Sequence, residues 1–414
     1  MDILDLISLL IFLSAAFTLV NITYLKLPHT IGLMAIALVM SIVILLLGLI
    51  FPSVSDLAIH IMEEFDFKEV LLNVMLSFLL FAGAMSINLR MLLQEKWPIL
   101  ILATIGVLVS TFIVGTLMYY AFTFVGFEIT LVHCYLFGAL ISPTDPIAVL
   151  ALVKKANLSK NLEIKIAGES LFNDGIGVVV FLTIMGIDER GGADSFDALE
   201  VAGLFAREVI GGLGIGAVFG YMGLKLLDFI DNDHVELEVL VTLSMVLVCA
   251  RLSEMLHVSG PLAMVIMGLF VGNEGRGDEF ASATGEYVYK FWHLLDESLN
   301  AILFILVGFE MIVISQSFVV DYFALGLMSI SIVLAARFIG VALPIGIMKR
   351  FRHFEKNTVA ILTWGGLRGG LSVAMALSLP DSIAEKDLIL SCTYCVVVFS
   401  ILVQGLTIGK LIKS

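Results

Sequence analysis

Two groups of carboxylates stand inside strongly apolar sequence, where they could bind a cation or a proton. Asp145 lies in Ser-Pro-Thr-Asp-Pro (142–146), and Glu169 and Asp174 lie in Gly-Glu-Ser-Leu-Phe-Asn-Asp-Gly (168–175). A carboxylate at membrane depth costs about 2.5–3.5 kcal/mol on insertion scales, so it is seldom retained without a role. Acids in two consecutive apolar segments therefore indicate a path for a cation or a proton.

The composition predicts an all-α polytopic membrane protein with one transporter domain over residues 1–414. The chain has 414 residues, of which 60% are hydrophobic and 14% charged, with a mean hydropathy of +1.06. Apolar runs of about 20 residues, the length that spans a bilayer, recur from end to end. The net charge of −14 argues against binding to nucleic acid, and we expect membrane lipid to surround the chain. Cys392 and Cys395 have the CxxC spacing of redox or metal sites, but no second Cys or His pair accompanies them. We therefore interpret them as packing residues and expect no cofactor.

Thirteen helices are predicted, and the ninth is short for a membrane span. They cover roughly 4–25, 29–51, 69–88, 98–122, 130–153, 163–187, 199–228, 235–256, 259–273, 290–315, 320–348, 356–379 and 387–411. With this count, sixteen Lys and Arg residues fall on one side and four on the other. The positive-inside rule then predicts a multi-pass plasma membrane protein with its N-terminus outside and its C-terminus in the cytoplasm.

The fifth predicted helix contains two prolines that interrupt it. Pro143 and Pro146 lack an N–H group, which frees the carbonyls of Ala139 and Ser142, and Pro146 disfavours helical geometry at Asp145. Irregular backbone at membrane depth is tolerated where it is buried in protein or lines an aqueous cavity. We expect the break to present free carbonyls and helix ends to an ion; the alternative is a simple proline kink.

The twelfth predicted helix has a second weak point, where Gly366 and Gly369 flank Arg368 in Trp-Gly-Gly-Leu-Arg-Gly-Gly (364–370). The two interrupted helices are seven positions apart, so they run antiparallel. That arrangement predicts inverted repeats, with helices 1–6 matching 8–13, helix 7 (199–228) as a linker, and the broken helices crossing at the midplane.

The sixth predicted helix carries two polar stripes. Glu169 and Asn173 share one face, and Ser170 and Asp174 share the adjacent face, because both pairs are four residues apart. Arg337 lies deep in the eleventh helix and needs a buried carboxylate. Glu169 is the natural partner, with Asn173 completing the hydrogen bonds, so this stripe is predicted to be structural.

The other stripe is left to face Thr144 and Asp145 across a cavity. Asp174, Asp145, Ser170 and Thr144 supply carboxylate and hydroxyl oxygens, the ligands that hard cations prefer, and they include no His or Cys that zinc would favour. Desolvation favours a protonated carboxyl group, whereas a bound cation favours the ionised form. A single aspartate can thus exchange a proton for a metal ion.

These motifs together resemble a known family. The resemblance lies first in three segments, 142–146, 168–175 and Gly-Gly-Leu-Arg-Gly (365–369). It extends to Phe291-Trp292, Glu297 and Leu299-Asn300, and to Leu-Leu-Phe-Ala-Gly (79–83). Together these segments are similar to the monovalent cation/proton antiporters of the NhaP and sodium/proton exchanger (CPA1) type. The resemblance implies an NhaA-like antiporter fold and a homodimer. It also implies a core domain (within 98–187 and 320–411) that moves against a dimerisation domain (within 4–88 and 235–315).

The resemblance also implies roles for the site residues. Asp174 would be the carboxylate that exchanges Na⁺, or Li⁺ or K⁺, for H⁺, with Thr144, Asp145 and Ser170 as neighbours or ligands. Glu169, Asn173 and Arg337 would form the stabilising network. Asn173 implies electroneutral one-for-one exchange in pH homeostasis. The end of the chain at Ser414, without the long tail of the animal exchangers, favours a prokaryotic inner membrane.

We expect a transporter and not an enzyme, and two other functions are the alternatives. An intramembrane aspartyl protease also needs two membrane aspartates, but the residues before Asp174 do not match its Gly-x-Gly-Asp signature. A cation channel would need a filter-like carbonyl repeat, which the sequence does not contain. Some roles stay open: Glu297 and Asn300 could line a cytoplasmic funnel or form a structural hydrogen bond, and Arg368 could neutralise helix ends or pair with an acid.

Overall fold

The computed structural model describes residues 3–64, 70–155, 159–190, 198–230, 234–273, 283–315, 320–352 and 354–413. The regular structure of these residues is helical, apart from one isolated antiparallel bridge. Helices are what an apolar chain must form in lipid, where no water can satisfy backbone N–H and C=O groups. The all-α prediction is therefore confirmed.

The first half of the described chain forms ten helices. They are α1 (Ile3–Val20, extended by the π-helical turn Asn21–Leu25), α2 (His29–Gly48), α3 (Pro52–Glu64), α4 (the π-helical turn Val70–Met75 and Leu76–Ser86), α5 (Leu89–Gln94), α6 (Lys96–Val125, with a π-helical turn at Leu102–Gly106), α7 (Leu131–Ile141), α8 (Ile147–Lys155), α9 (Lys160–Glu189) and α10 (Ala198–Phe229).

The second half forms seven. They are α11 (Val235–Met255), α12 (Gly260–Val271), α13 (Ala283–Ile314), α14 (Val320–Met348), α15 (Thr358–Trp364), α16 (Gly370–Leu377) and α17 (Lys386–Phe399, the π-helical turn Ser400–Gln404, and Gly405–Lys413). Helix therefore forms at each of the thirteen predicted positions. Within the described residues, eight helices are long and apolar enough to cross a membrane: Ile7–Leu25, His29–Gly48, Lys96–Val125, Lys160–Glu189, Leu199–Phe229, Glu286–Ile314, Tyr322–Met348 and Lys386–Ile412. The count of thirteen spans stays a prediction.

One helix was missed by the sequence interpretation. The predicted second helix, 29–51, ends at Gly48, and α3 begins at Pro52 after a short turn. Proline suits the first turn of a helix, where its missing N–H group is not needed. Helix α3 mixes apolar residues with Asp56, His60 and two glutamates, and it packs on α2 and α13. Its charged residues make this segment look like a loop between membrane spans.

The helices form two groups, each with its most extensive contacts inside the group. In the first group α6 packs against α7 and α14, α9 packs against α7, and α14 packs against α17. In the second group α13 packs against α2 and α4, and α12 packs against α4 and α11. Helix α10 lies mainly along α12 and also touches α9. The groups meet at the centre of the molecule, where Gly175 of α9 faces Leu262 and Gly370 of α16 faces Leu303.

Two helices are interrupted at their centres, at the predicted positions. The first break separates α7 from α8 between Ile141 and Ile147, and the second separates α15 from α16 between Trp364 and Gly370. The two non-helical stretches meet in the isolated antiparallel bridge of Asp145 with Leu367. The broken helices therefore cross at their breaks, which is the arrangement that the interrupted segments predicted.

Candidate ion-binding site

Backbone hydrogen bonds hold the crossing together. The Asp145 N–H group donates to the Leu367 carbonyl at 2.8 Å. The Asp145 Oδ1 atom accepts from the Ile147 N–H group at 2.9 Å, which satisfies a free donor at the start of α8. One carboxylate oxygen of Asp145 is thus used locally, and the residue remains partly exposed.

Arg368 binds the end of a helix, which is one of the two roles that the sequence left open, and it also interacts electrostatically with Glu169 and Asp174. Its Nη1 atom donates to the carbonyls of Ser142 at 2.7 Å and Pro143 at 2.9 Å. Its backbone N–H donates to Ser400 Oγ at 2.9 Å, beside the π-helical turn of α17. A buried cation at the carbonyl end of α7 balances the partial negative charge of that helix end.

The carbonyls that the prolines free do not stand open to an ion, contrary to expectation. The Ser142 carbonyl accepts from Arg368, and the Ala139 carbonyl accepts from the Ser142 N–H group at 3.3 Å. An unpaired buried carbonyl costs on the order of 2 kcal/mol or more, so a nearby donor takes it. The guanidinium that supplies the donor comes from the other broken helix, far away in the sequence.

Glu169 and Arg337 form a buried, two-pronged ion pair. Arg337 Nη1 lies 2.6 Å from Glu169 Oε1, and Nη2 lies 2.9 Å from Oε2. The guanidinium also donates from Nε and Nη2 to the Leu362 carbonyl of α15, at 3.3 and 3.1 Å. Glu169 is 2% exposed and Arg337 is 6% exposed. The parallel geometry matches the strong bidentate form of this pair, so both charges are fixed in place.

Asn173 links that ion pair to the first break. Its Nδ2 atom donates to Thr144 Oγ1 at 2.7 Å and to Glu169 Oε1 at 3.3 Å, and its Oδ1 atom accepts from the Thr144 N–H group at 3.2 Å. The Ser170 hydroxyl donates to the Thr144 carbonyl. The N–H, hydroxyl and carbonyl groups of Thr144 are thus all engaged. Ser170 therefore lies on the Asp174 stripe and also joins the hydrogen-bond network of Asn173 and Thr144.

Asp174 has a different environment. The residue is partly exposed, and its carboxylate makes no hydrogen bond or ion pair with any other residue that the structure describes. It interacts electrostatically with Asp145, Glu169 and Arg368. Asp174 is therefore a carboxylate beside the crossing whose oxygens are free for a proton or a cation.

Gly369 keeps the space beside Asp145 open. A side chain at Gly369 would place its Cβ atom 2.8 Å from Asp145 Oδ2 and 2.9 Å from Asp145 Cβ. Such distances are below normal contact, so the second Asp145 oxygen can stay accessible only with a glycine at this position. The glycine-rich segment thus admits the other broken helix at close range, which is one of the uses of glycine.

The sequence interpretation missed one acid near the site. Asp296 of α13 accepts from Asn300 Nδ2 at 3.0 Å and lies close enough to Asp145 to interact with it electrostatically. Its neighbour Glu297, which the sequence analysis selected, is 61% exposed and lies 4.0 Å from His293. The four-residue spacing of Asp296 and Asn300 on one helix face was the available signal.

Comparisons with known proteins place this architecture in a family. The family model described as "Sodium/hydrogen exchanger, transmembrane" matches residues 9–414. The chain belongs to the sodium/hydrogen exchanger family. It is 47% identical to the Na⁺/H⁺ antiporter NhaP of Pseudomonas aeruginosa over 417 residues, which cover 99% of this chain and 96% of that protein. It is 32% identical to the Na⁺/H⁺ antiporter NhaH of Halobacillus dabanensis, covering 99% of this chain and 97% of that protein.

A solved structure shows the same fold. The sodium proton antiporter MjNhaP1 of Methanocaldococcus jannaschii superimposes with a TM-score of 0.77 at 21% identity, covering 100% of this chain and 99% of that one. The resemblance that the motifs indicated is confirmed, as is the multi-pass membrane architecture of this sodium/hydrogen exchanger family member.

Proposed function

We propose that this chain is a secondary active antiporter that exchanges Na⁺, or Li⁺ or K⁺, for H⁺, with Asp174 alternately binding the cation and the proton. The observation that carries the proposal is the Asp174 carboxylate, which faces the crossing without a partner among the described residues while Glu169 nearby is fully paired. The relatives named above bear the names of Na⁺/H⁺ antiporters.

The charges at the crossing support a one-for-one exchange. Three acids interact there, Asp145, Glu169 and Asp174, with two arginines, Arg337 and Arg368. When all five are ionised, one negative charge is left over. A single monovalent cation or a single proton neutralises it, so each excludes the other from the same carboxylate. Electroneutral exchange follows if the loaded site alone changes sides.

The ligands of the cation are drawn from oxygen atoms near Asp174. We assign Asp174 and Asp145 as the charged ligands, because both carboxylates are partly exposed at the crossing. Ser170 and Thr144 contribute hydroxyl oxygens, which keep lone pairs beyond the hydrogen bonds described above. Glu169, Asn173 and Arg337 hold these ligands in position. The two breaks are supplied by separate segments, one with Pro143 and Pro146 and the other with Gly366, Arg368 and Gly369.

Alternating access is proposed to move one group of helices against the other. The core domain lies within 98–187 and 320–411, and the dimerisation domain lies within 4–88 and 235–315, with 199–228 as the linker helix. The contacts of Gly175 with Leu262 and of Gly370 with Leu303 are apolar, which supports sliding. A hydrogen bond from the Tyr394 hydroxyl of α17 to the Gly308 carbonyl of α13, at 3.3 Å, would have to shift with the motion. A homodimer in a lipid bilayer, with the N-terminus outside and the C-terminus in the cytoplasm, would keep the dimerisation domain still.

The test is a transport assay with purified protein in liposomes. An imposed pH gradient should collapse when Na⁺, Li⁺ or K⁺ is added outside, and radioactive ²²Na⁺ should move against the protons at one ion per proton. Cation flux that proceeds without any proton counterflow would show conduction through a channel and refute the proposal. Liposomes without protein give the leak.

A further inference from the structure

We propose that Asp296, with Asn300, forms a transient cation site on α13 at the cytoplasmic entrance and sets the apparent affinity for the cytoplasmic cation. The inference rests on the proposed antiport function. It concerns a residue outside the crossing and on the opposite group of helices from Asp174.

One face of α13 looks toward the crossing. Asp296, Asn300 and Leu303 are spaced four and three residues apart, so they share that face. Leu303 lies where a side chain of Gly370 would be, at the start of α16 directly after the second break. Asp296 is seven residues before Leu303, which is about 10 Å along the helix axis. It lies toward the N-terminal end of α13, the end that the proposed orientation places in the cytoplasm.

The acids form a series that leads to Asp174. Asp296 interacts electrostatically with Asp145, and Asp145 interacts with Asp174. Within the described part of the chain, Asp296 has no ion pair with Lys, Arg or His, whereas the neighbouring Glu297 faces His293. A partly buried carboxylate within electrostatic reach of another carboxylate is costly unless it meets a cation. A passing cation would relieve that cost, so the position favours cation entry.

Asn300 orients the carboxylate and adds an oxygen. Its Nδ2 atom donates to Asp296 Oδ1 at 3.0 Å and to the Asp296 carbonyl at 2.9 Å. Asn300 is 5% exposed, and its Oδ1 atom accepts no hydrogen bond from a residue that the structure describes. A carboxylate and an amide oxygen on consecutive turns offer two of the oxygen ligands that a hard cation prefers.

The decisive variant is Asp296→Asn, with Glu297→Gln as the matched control on the same helix. An amide at 296 keeps the size of the side chain and an oxygen that accepts from Asn300, so a merely structural hydrogen bond survives while the charge is lost. Removing one charge near a partly desolvated path should raise the cytoplasmic KM for Na⁺ about three- to ten-fold. The maximal rate should stay within about two-fold, since Asp174 is untouched.

The measurement compares the two faces of the membrane. In everted vesicles Na⁺ is varied at the cytoplasmic face, and in right-side-out vesicles it is varied at the outer face. Asp296→Asn should raise KM only at the cytoplasmic face, and the difference from wild type should shrink as an impermeant salt screens the charge. Glu297→Gln, whose side chain is largely exposed, should match wild type at both faces.

Four outcomes would overturn the proposal. An unchanged cytoplasmic KM in Asp296→Asn shows that the carboxylate only accepts a hydrogen bond. An equal rise at both faces, or loss of all exchange in a folded protein, places Asp296 in the central site. Should Asp296→Asn not fold, Asp296→Glu retains the charge and must keep the cytoplasmic KM within about two-fold of wild type; a larger rise counts against the proposal. Absence of exchange in wild type, by contrast, refutes the proposed function itself.

Discussion

Glu169 and Asp174 lie five residues apart on the same helix and have opposite surroundings. Glu169 is almost fully buried and is held by both outer nitrogens of Arg337, with Asn173 as a further donor. Asp174 is partly exposed and has no hydrogen-bond partner among the described residues. The fold gives Glu169 a paired counter-ion and gives Asp174 no ion pair among the described residues. We propose that this contrast makes Glu169 a fixed charge and Asp174 an exchangeable one.

Helix geometry accounts for the separation. Five residues turn an α-helix by about 500°, so the two side chains point about 140° apart. Glu169 therefore faces Arg337 of α14 and the Leu362 carbonyl of α15. Asp174 interacts with Asp145 and Arg368 at the crossing, and Gly175 beside it meets α12. One helix thus carries an ion-paired face and a face that meets the crossing.

The largest effect is expected from Asp174→Asn, because it removes the exchangeable charge and leaves the fixed one. Cation-driven proton movement in liposomes should fall to the background of empty liposomes. The amide has the same size, and the carboxylate that it replaces makes no hydrogen bond or ion pair among the described residues, so the melting temperature in detergent should change by less than about 2 °C.

Glu163→Gln is the control, since Glu163 is a carboxylate at the start of the same helix that pairs with Lys154 at 3.5 Å. It should keep exchange near the wild-type rate. If Asp174→Asn retained near-native exchange, the contrast between the two carboxylates would have no functional meaning.

The next effect concerns the fixed pair and is expected in stability. Glu169→Gln or Arg337→Met each leaves a buried charge without its partner, which costs about 3–5 kcal/mol of the free energy of unfolding. The double variant should lose clearly less than the two single losses combined, because no unpaired charge remains. Thermal unfolding of the four proteins in one detergent completes the cycle. Strictly additive losses would show that the two side chains do not stabilise each other.

A smaller effect is expected at Asn173, which links the ion pair to the first break. Asn173→Asp removes the amide donors to Thr144 Oγ1 and Glu169 Oε1 and places a second negative charge beside Glu169. The loss of stability should be about 1–3 kcal/mol, the range for leaving buried polar partners unsatisfied. Ser170→Ala, which removes one hydrogen bond to the Thr144 carbonyl, should cost less. A greater loss in Ser170→Ala than in Asn173→Asp, measured by thermal unfolding, would place the centre of the network at Ser170.

Local chemistry made much of this arrangement predictable. Pro143 and Pro146 lack N–H donors whatever the helix packs against, so the break follows from the sequence alone. A buried guanidinium such as Arg337 needs a carboxylate, and few candidates existed at membrane depth. The helix positions followed from apolar runs, whose length the bilayer sets.

The remainder depends on contacts between distant segments. The bridge of Asp145 with Leu367, and the capture of the Ser142 carbonyl by Arg368, require knowledge of how the two broken helices approach each other. The choice between Asp296 and Glu297 depends on a rotation of about 100° around α13, which an apolar pattern does not fix to one residue. Helix α3 was missed because its charges resemble those of a loop.

The smallest effect concerns the membrane potential, because we expect the rate and the endpoint of Na⁺ exchange not to respond to it. The core carries Asp145, Glu169 and Asp174 with Arg337 and Arg368, so one cation or one proton makes it neutral in either loaded state. Glu169 is held by both outer nitrogens of Arg337, so we assign it no part in the exchange. Asn173 cannot titrate, so it supplies no second proton. The measurement uses liposomes with a clamped pH gradient and a membrane potential set by a potassium gradient and valinomycin. That potential should leave the rate and the endpoint of Na⁺ exchange unchanged. A prior assay must show whether K⁺ is itself a substrate, because a transported K⁺ would drive exchange without any effect of voltage. A pH gradient alone should drive the exchange fully.

An endpoint that shifts with voltage would show that net charge crosses the membrane. Asp145, the other partly exposed carboxylate of the core, would then be the second proton carrier, and the division between one fixed and one exchangeable acid on α9 would not describe the whole site.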